Sequence, residues 1–361
     1  YPGQIIGITG SCGKTTLKEL LANCLNKFGK ASYSPKSYNN KYGVPLSLFN
    51  LNINNNYGVF EIGMDKKGEI DFLSSIVKPN IGVITNISYA HAKNFKSISD
   101  IAKAKAEIIN NIKKYGSIIL NADDKFFSIH KKIAKKRRLN IVSFGYSYKS
   151  DVKLLKLKKL GKYYKIEVQI FDELKKFEIR YKYKNYIKNI LSALAVLYIL
   201  KITKNLRSNF FKNFLIPKGR GNISKIKFKN KKIFLIDESY NSNPLSLSSA
   251  ISNFSNINIK SEKKHFLMGD MLELGKHSKK LHKDMSNILN NSKINKIHIY
   301  GNDVAETFKG IKKKRKGRIL RKISDIYDLI VRDLNNNDYL MVKGSNSTGL
   351  NKIVETLRGS I

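Results

Sequence analysis

The chain reads GITGSCGKTT from Gly7 to Thr16, and this glycine-rich turn constrains the fold more than any other feature. The apolar pair at positions 5 and 6 comes just before it and predicts a strand. Apolar side chains recur every three or four positions over residues 17–28 and predict a helix just after it. Backbone N–H groups of such a turn and the positive helix end surround an anion, so the segment predicts a phosphate cradle. A chance glycine-rich turn is the alternative, and the flanking strand and helix argue against it.

The residues of this turn that we expect to contact phosphate are Gly10, Ser11, Cys12, Gly13, Lys14, Thr15 and Thr16. Lys14 is expected to reach the outer phosphates, and the Thr15 hydroxyl to hold Mg²⁺. The spacing differs from the general P-loop, which requires a glycine where Ile8 stands.

Strand and helix patterns alternate along the chain and predict an α/β fold of two domains. Residues 1–217 are expected to form an ATP-binding domain of the P-loop type with a mostly parallel sheet. Its predicted strands are 57–63, 81–86 and 117–120, and its predicted helices are 97–112 and 187–199. The alternating pattern over residues 152–183 predicts antiparallel hairpins at the edge of that sheet.

The sequence PKGRG at positions 217–221 is the best domain boundary, because proline and glycine end regular structure. After it the alternation of strands and helices starts again. Strands are predicted near 233–236, 265–268, 296–300 and 339–342. Residues 218–361 are therefore expected to form a Rossmann-like α/β domain.

The formal net charge is +41, from 68 Lys and Arg against 27 Asp and Glu. The basic residues are scattered, with only short clusters such as 131–138 and 312–321, so we expect a solvated basic surface and no specific nucleic-acid site. A basic, nucleic-acid-binding ATPase stays open as an alternative. Apolar runs fall short of the ~20 residues that cross a bilayer, and membrane insertion is not expected.

The two cysteines, Cys12 and Cys24, are twelve positions apart on what reads as one helix. At a rise of ~1.5 Å per residue that separation is too large for a disulfide. Two free thiols fit a reducing, cytoplasmic setting, and we expect a cytoplasmic monomer.

Polar residues follow several predicted strands, where open α/β sheets bind their ligands. Glu61 ends one strand, His91 follows the next, and Lys103 and Lys105 lie on the helix after it. A carboxylate and an imidazole beside a triphosphate suggest ligands of Mg²⁺. Taken singly, each of these side chains is more often structural, and their joint pattern favours a site.

Several sequence blocks, taken in their order along the chain, resemble those of the Mur ligases and folylpolyglutamate synthetases. The most specific blocks are DESYNSNP at 237–244 and GDMLELG at 269–275. The remaining blocks are residues 9–16, 38–46, 61–63, 86–91, 102–108, 120–124 and 342–345. Together they cover nearly all of the chain and are most similar to the Mur ligases.

The resemblance implies an ATP-dependent, ADP-forming ligase of peptidoglycan precursor synthesis. Its implied substrates are UDP-N-acetylmuramoyl-tripeptide and D-alanyl-D-alanine. ATP would phosphorylate the terminal carboxylate of the tripeptide, and the amine of the dipeptide would attack the acyl phosphate. A related ligase of the folylpolyglutamate type with another acceptor remains open.

The resemblance also implies roles for individual residues. Lys14 would hold the β- and γ-phosphates, Thr15 and Glu61 a first Mg²⁺, and His91 a second. Lys105, with Lys103 as the fallback, matches the position of a carbamylated lysine that completes the second metal site. The implied nucleotide contacts are Asn189, Arg220, Asp237, Tyr240 and Asn241. The implied substrate contacts are Asn39 and Asn40 for the UDP-muramyl-peptide, and Lys343 and Ser345 for the dipeptide.

The sequence departs from the family pattern at Cys12, at Asn346 and in the nucleotide block at 183–189, where only Asn189 survives. The phosphate loop also begins almost at the first residue. We therefore expect that the family's N-terminal domain, which grips the UDP-sugar, is missing from this chain.

Overall fold

The computed structural model describes residues 1–161, 163–180, 186–259 and 261–359. They form two compact units, Tyr1–Leu215 and Ile216–Ile361, which we call unit 1 and unit 2. No helix in the described part of the chain combines the length and apolar character needed to cross a membrane.

Unit 1 contains a nine-stranded sheet, counted over the described residues. Its strands are β1 (Gln4–Thr9), β2 (Ala31–Tyr33), β3 (Tyr57–Glu61), β4 (Ile81–Ile84), β5 (Ser117–Asn121), β6 (Asn140–Gly145), β7 (Val152–Leu160), β8 (Tyr163–Ile170) and β9 (Glu173–Arg180). Their spatial order is β2-β3-β1-β4-β5-β6-β7-β8-β9. The strands from β2 to β7 pair in parallel, and β7, β8 and β9 pair antiparallel at one edge. The predicted edge hairpins are thus confirmed over the described residues, and 181–183 lie outside them.

The central strands of this sheet are covered on both faces, which requires nearly continuous apolar sequence. All of β4 and all but the first residue of β1 are buried. The helices of unit 1 are α1 (Lys14–Leu25), α2 (Gly43–Phe49), α3 (Glu69–Val77), α4 (Ile98–Ala106), α5 (Phe127–Lys136) and α6 (Ile187–Ile199). This arrangement puts the turns that follow β1, β3, β4, β5 and β6 at one edge of the sheet.

Unit 2 has six strands in its described residues: β10 (Asn222–Phe228), β11 (Lys231–Asp237), β12 (Lys264–Gly269), β13 (Lys296–Tyr300), β14 (Lys316–Leu320) and β15 (Tyr339–Lys343). They lie in the order β10-β11-β15-β12-β13-β14, and only the β10–β11 pair is antiparallel. The helices are α7 (Pro244–Ser255), α8 (Ser278–Asn290), α9 (Ala305–Lys309), α10 (Ser324–Asp333) and α11 (Leu350–Gly359). Both units are α/β with mostly parallel sheets, so the predicted fold class is confirmed.

Two local predictions are wrong. The helix predicted over 97–112 ends at Ala106 and continues as a tighter 3₁₀ segment, Glu107–Asn111. Cys12 lies in the turn before α1 rather than on the helix, since the helix starts at Lys14. The start of α4 is well defined, because Ser97 accepts a hydrogen bond from the Asp100 N–H and the Asp100 carboxylate accepts one from the Ser97 N–H.

Candidate nucleotide and metal site

The turn between β1 and α1 depends on two glycines. Gly10 has φ +139° and Gly13 has φ +82°, conformations that residues with a side chain rarely adopt. A Cβ on Gly10 would lie 1.9 Å from the Thr85 hydroxyl oxygen. The turn therefore passes so close to the end of β4 that no larger residue fits.

Residues after β4 hold this turn in place. Asn86 accepts hydrogen bonds from the Ser11 N–H at its carbonyl (2.9 Å) and from the Cys12 N–H at its side-chain oxygen (3.0 Å). The Thr85 hydroxyl donates to the Cys12 carbonyl at 2.6 Å. These bonds fix the turn before any ligand arrives, which is the preorganisation that phosphate binding requires.

Two side chains close on the turn from the helices. The Lys14 ammonium donates to the Gly10 carbonyl at 2.9 Å, so the lysine lies across the turn. The Asn189 amide donates to the Gly13 carbonyl at 2.9 Å and thereby ties the first turn of α6 to the start of α1. Residues 183–185 of the nucleotide block lie outside the described residues.

A buried carboxylate lies directly beside the turn. Glu61, at the end of β3, is only 2% exposed and accepts hydrogen bonds from the Thr15 hydroxyl (2.8 Å) and the Asn39 amide (2.7 Å). The Ser37 hydroxyl lies 3.1 Å from the same Thr15 oxygen. The structure therefore brings Thr15, Glu61 and Asn39 together, whereas the Asn40 side chain accepts from the backbone N–H groups of residues 42 and 43 at the start of α2.

The two candidate lysines of α4 differ in how far their side chains are exposed to solvent. Lys103 is exposed, whereas Lys105 is 1% exposed. Burial lowers the pKa of the Lys105 ammonium well below its usual range, and the nearby positive charge of Lys14 lowers it further. Among the described residues Lys105 has no hydrogen-bond or ion-pair partner, so its neutral amine is favoured.

His91 lies in the turn after β4 with φ +57°. Its Nδ1 lies 2.8 Å from the Asp65 carboxylate, in the turn after β3. The structure therefore places a carboxylate beside the imidazole within ion-pair distance. Sequence reasoning identified His91 but missed Asp65, which carries no local signal.

Lys18 was also missed. It lies on α1 one turn after Lys14, is fully buried, and donates to the carbonyls of Ser34 (2.5 Å) and Lys36. These hydrogen bonds hold the segment around Ser37 against α1, where the Ser37 hydroxyl contacts Thr15. The place of Lys18 on the apolar face of a predicted helix was a signal that the sequence did contain.

In unit 2 the predicted residues fall into two groups. Asp237, at the end of β11, pairs with Arg358 at 3.0 Å and accepts a 2.6 Å hydrogen bond from the Ser239 hydroxyl. The guanidinium carbon of Arg220 lies 4.2 Å from the ring centroid of Tyr240.

The second group lies at the end of β15. The Lys343 ammonium donates to the Asn241 carbonyl at 2.9 Å and lies 3.4 Å from the Glu238 carboxylate, a partner that sequence reasoning missed. The Ser345 hydroxyl accepts from the Leu272 N–H at 2.8 Å. These bonds join the turns that follow β11, β12 and β15.

Comparison with known proteins places both units in one group. Residues 8–197 match the family model described as Mur ligase middle domain, and residues 224–346 match that of the Mur ligase glutamate ligase domain. The UDP-N-acetylmuramoyl-tripeptide–D-alanyl-D-alanine ligase of Rickettsia prowazekii is 30% identical over 353 residues, 98% of this chain and 77% of that protein. The Buchnera aphidicola enzyme of the same name is 33% identical over 366 residues, 98% of this chain and 76% of that protein.

Solved structures of MurF ligases resemble this chain along nearly its whole length. MurF from Acinetobacter baumannii superposes with a TM-score of 0.87 at 26% identity, covering 99% of this chain and 76% of that one. MurF ligase from Thermotoga maritima in complex with ADP has a TM-score of 0.86 at 24% identity, covering 100% of this chain and 80% of that one, and shares the fold.

Proposed function

The chain belongs to the Mur ligase family, and we propose that it joins D-alanyl-D-alanine to UDP-N-acetylmuramoyl-tripeptide in an ATP-dependent, ADP-forming reaction. The two relatives that cover 98% of the chain carry the name of this activity. The terminal carboxylate of the tripeptide is a poor electrophile, so ATP first converts it to an acyl phosphate. The amine of the dipeptide then attacks the acyl carbon, the amide bond forms, and phosphate leaves.

One observation carries this proposal: the Thr15 hydroxyl and the buried Glu61 carboxylate meet at 2.8 Å beside a preformed phosphate turn. Phosphoryl transfer needs positioning and charge neutralisation more than covalent help. Lys14 supplies a cation that can turn from the Gly10 carbonyl to the outer phosphates. The backbone N–H groups of the turn supply the rest.

The donor set at Glu61 fits Mg²⁺. The carboxylate and the Thr15 hydroxyl offer hard oxygen ligands, and the Asn39 amide holds the second carboxylate oxygen. When bound there, the ion would neutralise charge on the transferring phosphate. His91 is the proposed ligand of a second ion, and the Asp65 carboxylate lies beside its ring.

Lys105 is the proposed site of carbamylation, in preference to the exposed Lys103. A neutral amine attacks CO₂, a nitrogen–carbon bond forms, one proton is released, and the product is an anionic carbamate. Burial favours the neutral amine, and the adjacent Lys14 charge favours the anionic product. A ¹³C carbamate signal in protein equilibrated with ¹³C-bicarbonate, absent from Lys105→Arg, would support this modification.

The remaining roles concern the substrates. Asn39 and Asn40 are proposed to contact the UDP-muramyl-peptide, and Lys343 and Ser345 the dipeptide. Asn189, Arg220, Asp237, Tyr240 and Asn241 are proposed for the nucleotide. Of these, Arg220 keeps its guanidinium on the Tyr240 ring.

Phosphate release measured with UDP-N-acetylmuramoyl-tripeptide, with and without D-alanyl-D-alanine, tests the proposal. Release should require both substrates and should be abolished in Lys14→Ala. Lys132→Ala, an exposed lysine on α5, is the matched control and should retain wild-type release. Turnover that is unchanged in Lys14→Ala would overturn the assignment.

The same assay addresses the alternatives. Release supported by pteroylglutamate and glutamate would indicate a ligase of the folylpolyglutamate type. Release stimulated by nucleic acid, with steep salt dependence, would indicate a nucleic-acid-binding ATPase. A cytoplasmic location fits the two free cysteines, and a monomer is our proposal for the oligomeric state.

A further inference from the structure

A rigid turn follows β6 at the same sheet edge as the phosphate turn. The Asp123 carboxylate accepts hydrogen bonds from the Tyr146 N–H (2.9 Å) and the Ser147 N–H (3.0 Å). A Cβ on Gly145 would lie 2.7 Å from an Asp123 oxygen, so the carboxylate packs tightly on this backbone. Burial alone would raise the pKa of Asp123, but the hydrogen bonds from Lys188, Tyr146 and Ser147 outweigh it and lower the pKa. Asp123 therefore stays ionised and holds the turn.

Lys188 links this turn to α6. Its ammonium lies 2.9 Å from the Asp123 carboxylate and 5.1 Å from the centroid of the Tyr146 ring. The ring is thus held by the Lys188 ammonium, which is itself paired with the ionised Asp123 carboxylate. Even so, Tyr146 remains 49% exposed, so much of its surface is open to a ligand.

The position of this ring relative to the phosphate turn is set by the sheet. β6 is three strands from β1 in the order β1-β4-β5-β6. At ~4.8 Å per strand the two strand ends are about 14 Å apart, comparable with the length of an extended nucleoside triphosphate. Asn189, the neighbour of Lys188, already contacts the phosphate turn at Gly13.

We propose that the Tyr146 ring, fixed by Lys188 and Asp123, is a stacking surface for the purine base of the bound nucleotide. This inference rests on the proposed function, because it takes ATP as the ligand of the phosphate turn. An aromatic face binds a base through its π-system and needs no hydrogen-bonding partner.

Calorimetric titration of the full chain with Mg·ATP and with Mg·tripolyphosphate tests the proposal. Tripolyphosphate has the phosphates but no base. Stacking on an aromatic ring is worth ~1–3 kcal/mol, so Tyr146→Leu should raise the Kd for ATP by about 5-fold to 150-fold. The Kd for tripolyphosphate should stay the same. Tyr146→Phe keeps the ring and should bind ATP as the wild type does.

Tyr148→Leu is the matched control, since Tyr148 lies in the same turn, is 76% exposed and has its own lysine, Lys149, at 5.5 Å. It should leave both Kd values unchanged. An unchanged Kd for ATP in Tyr146→Leu would overturn the inference, and so would equal weakening of ATP and tripolyphosphate, which would mean a structural role. A wild type that binds tripolyphosphate but not ATP would overturn the proposed function as well.

Discussion

Acid should destabilise unit 2, because that unit contains a buried pair of neutral histidines. The His298 Nδ1 accepts the Arg318 N–H at 3.0 Å, which places the proton of His298 on Nε2. That proton is donated to the His265 Nδ1 at 3.1 Å. The remaining proton of His265 faces the Asp338 carboxylate at 3.6 Å. Each ring thus has one defined tautomer. The two nitrogens that carry no proton, His298 Nδ1 and His265 Nδ1, already accept hydrogen bonds.

The pKa shifts give the sign and the size of the effect. Burial, with a smaller contribution from the neighbouring His265, lowers the pKa of His298 from 6.5 to about 3. His298 therefore binds a proton below pH 6.5 in the unfolded chain, whereas in the folded chain it stays neutral until the pH approaches 3. The stability that this group contributes is complete above pH 6.5 and is lost as the pH falls towards 3. At ~1.36 kcal/mol per unit the full loss is on the order of 5 kcal/mol. Burial also lowers the pKa of His265, which adds to the loss.

A tryptophan reporter can measure this loss in unit 2, because the chain contains no tryptophan. Phe228 stacks on Tyr327 with ring centroids 5.2 Å apart, so Phe228→Trp reports on the core of that unit. Urea unfolding of this parent should give a free energy of unfolding that falls by up to ~1.4 kcal/mol per pH unit per proton below pH 6.5. Adding His298→Gln should flatten the slope by about one proton.

Ile297→Val is the matched control on the same strand. It removes one buried methyl group and should cost about 0.5–1.5 kcal/mol at every pH, with no change of slope. If the parent and His298→Gln lose stability in parallel between pH 6.5 and 4, the reasoning about the histidine pair is refuted. In that case the acid sensitivity must come from groups elsewhere.

Three shorter predictions concern unit 1. A thiol reagent should label Cys12 much faster than Cys24, because Cys24 is 1% exposed and burial raises its pKa to about 12. ATP should protect Cys12 from the reagent. Equal labelling rates at the two cysteines would contradict this prediction. Gly10→Ala should weaken ATP binding about tenfold or more, because the new Cβ would clash with Thr85 and the backbone φ of +139° is strained for alanine. An unchanged Kd for ATP would argue against the turn as the phosphate site. Lys18→Met should lower the free energy of unfolding by ~1.5–3 kcal/mol in urea titrations, because two backbone carbonyls lose a charged donor; a loss below ~0.5 kcal/mol would contradict the geometry.

Local sequence signals predicted the parts of the fold that rest on local chemistry. The bounds of α6 match the predicted 187–199, because its apolar residues are nearly continuous. β14 escaped prediction, since this edge strand reads KGRIL and buries only its last residue. β2 escaped it as well, because three residues are too few for a pattern.

Contacts between distant positions lay beyond the sequence. Asp123 and Lys188 are 65 positions apart, and His265 and Asp338 are 73 apart. No spacing rule pairs such residues, because the sheet order decides which strand ends become neighbours. The same limit explains why Glu61 was predicted as a ligand while its contact with Asn39 was not.

The buried lysines show where the sequence held more than its residue types suggested. Lys18 follows Leu17 on the apolar face of α1, and Lys105 lies four positions after Ile101 on the apolar face of α4. Ile108, three positions after Lys105, is buried in the 3₁₀ segment that follows. Helical spacing therefore separates Lys105 from the exposed Lys103 without any structure. Burying an ammonium is costly unless its charge is paired, and Lys18 and Lys343 both find carbonyls and a carboxylate. Lys105 has no such partner in the described chain, and the physical remedy for that cost is to lose the charge. A lysine kept neutral beside Lys14 is a poor structural residue but a good nucleophile, which supports the proposal that its chemistry, rather than its packing, is the reason for its position.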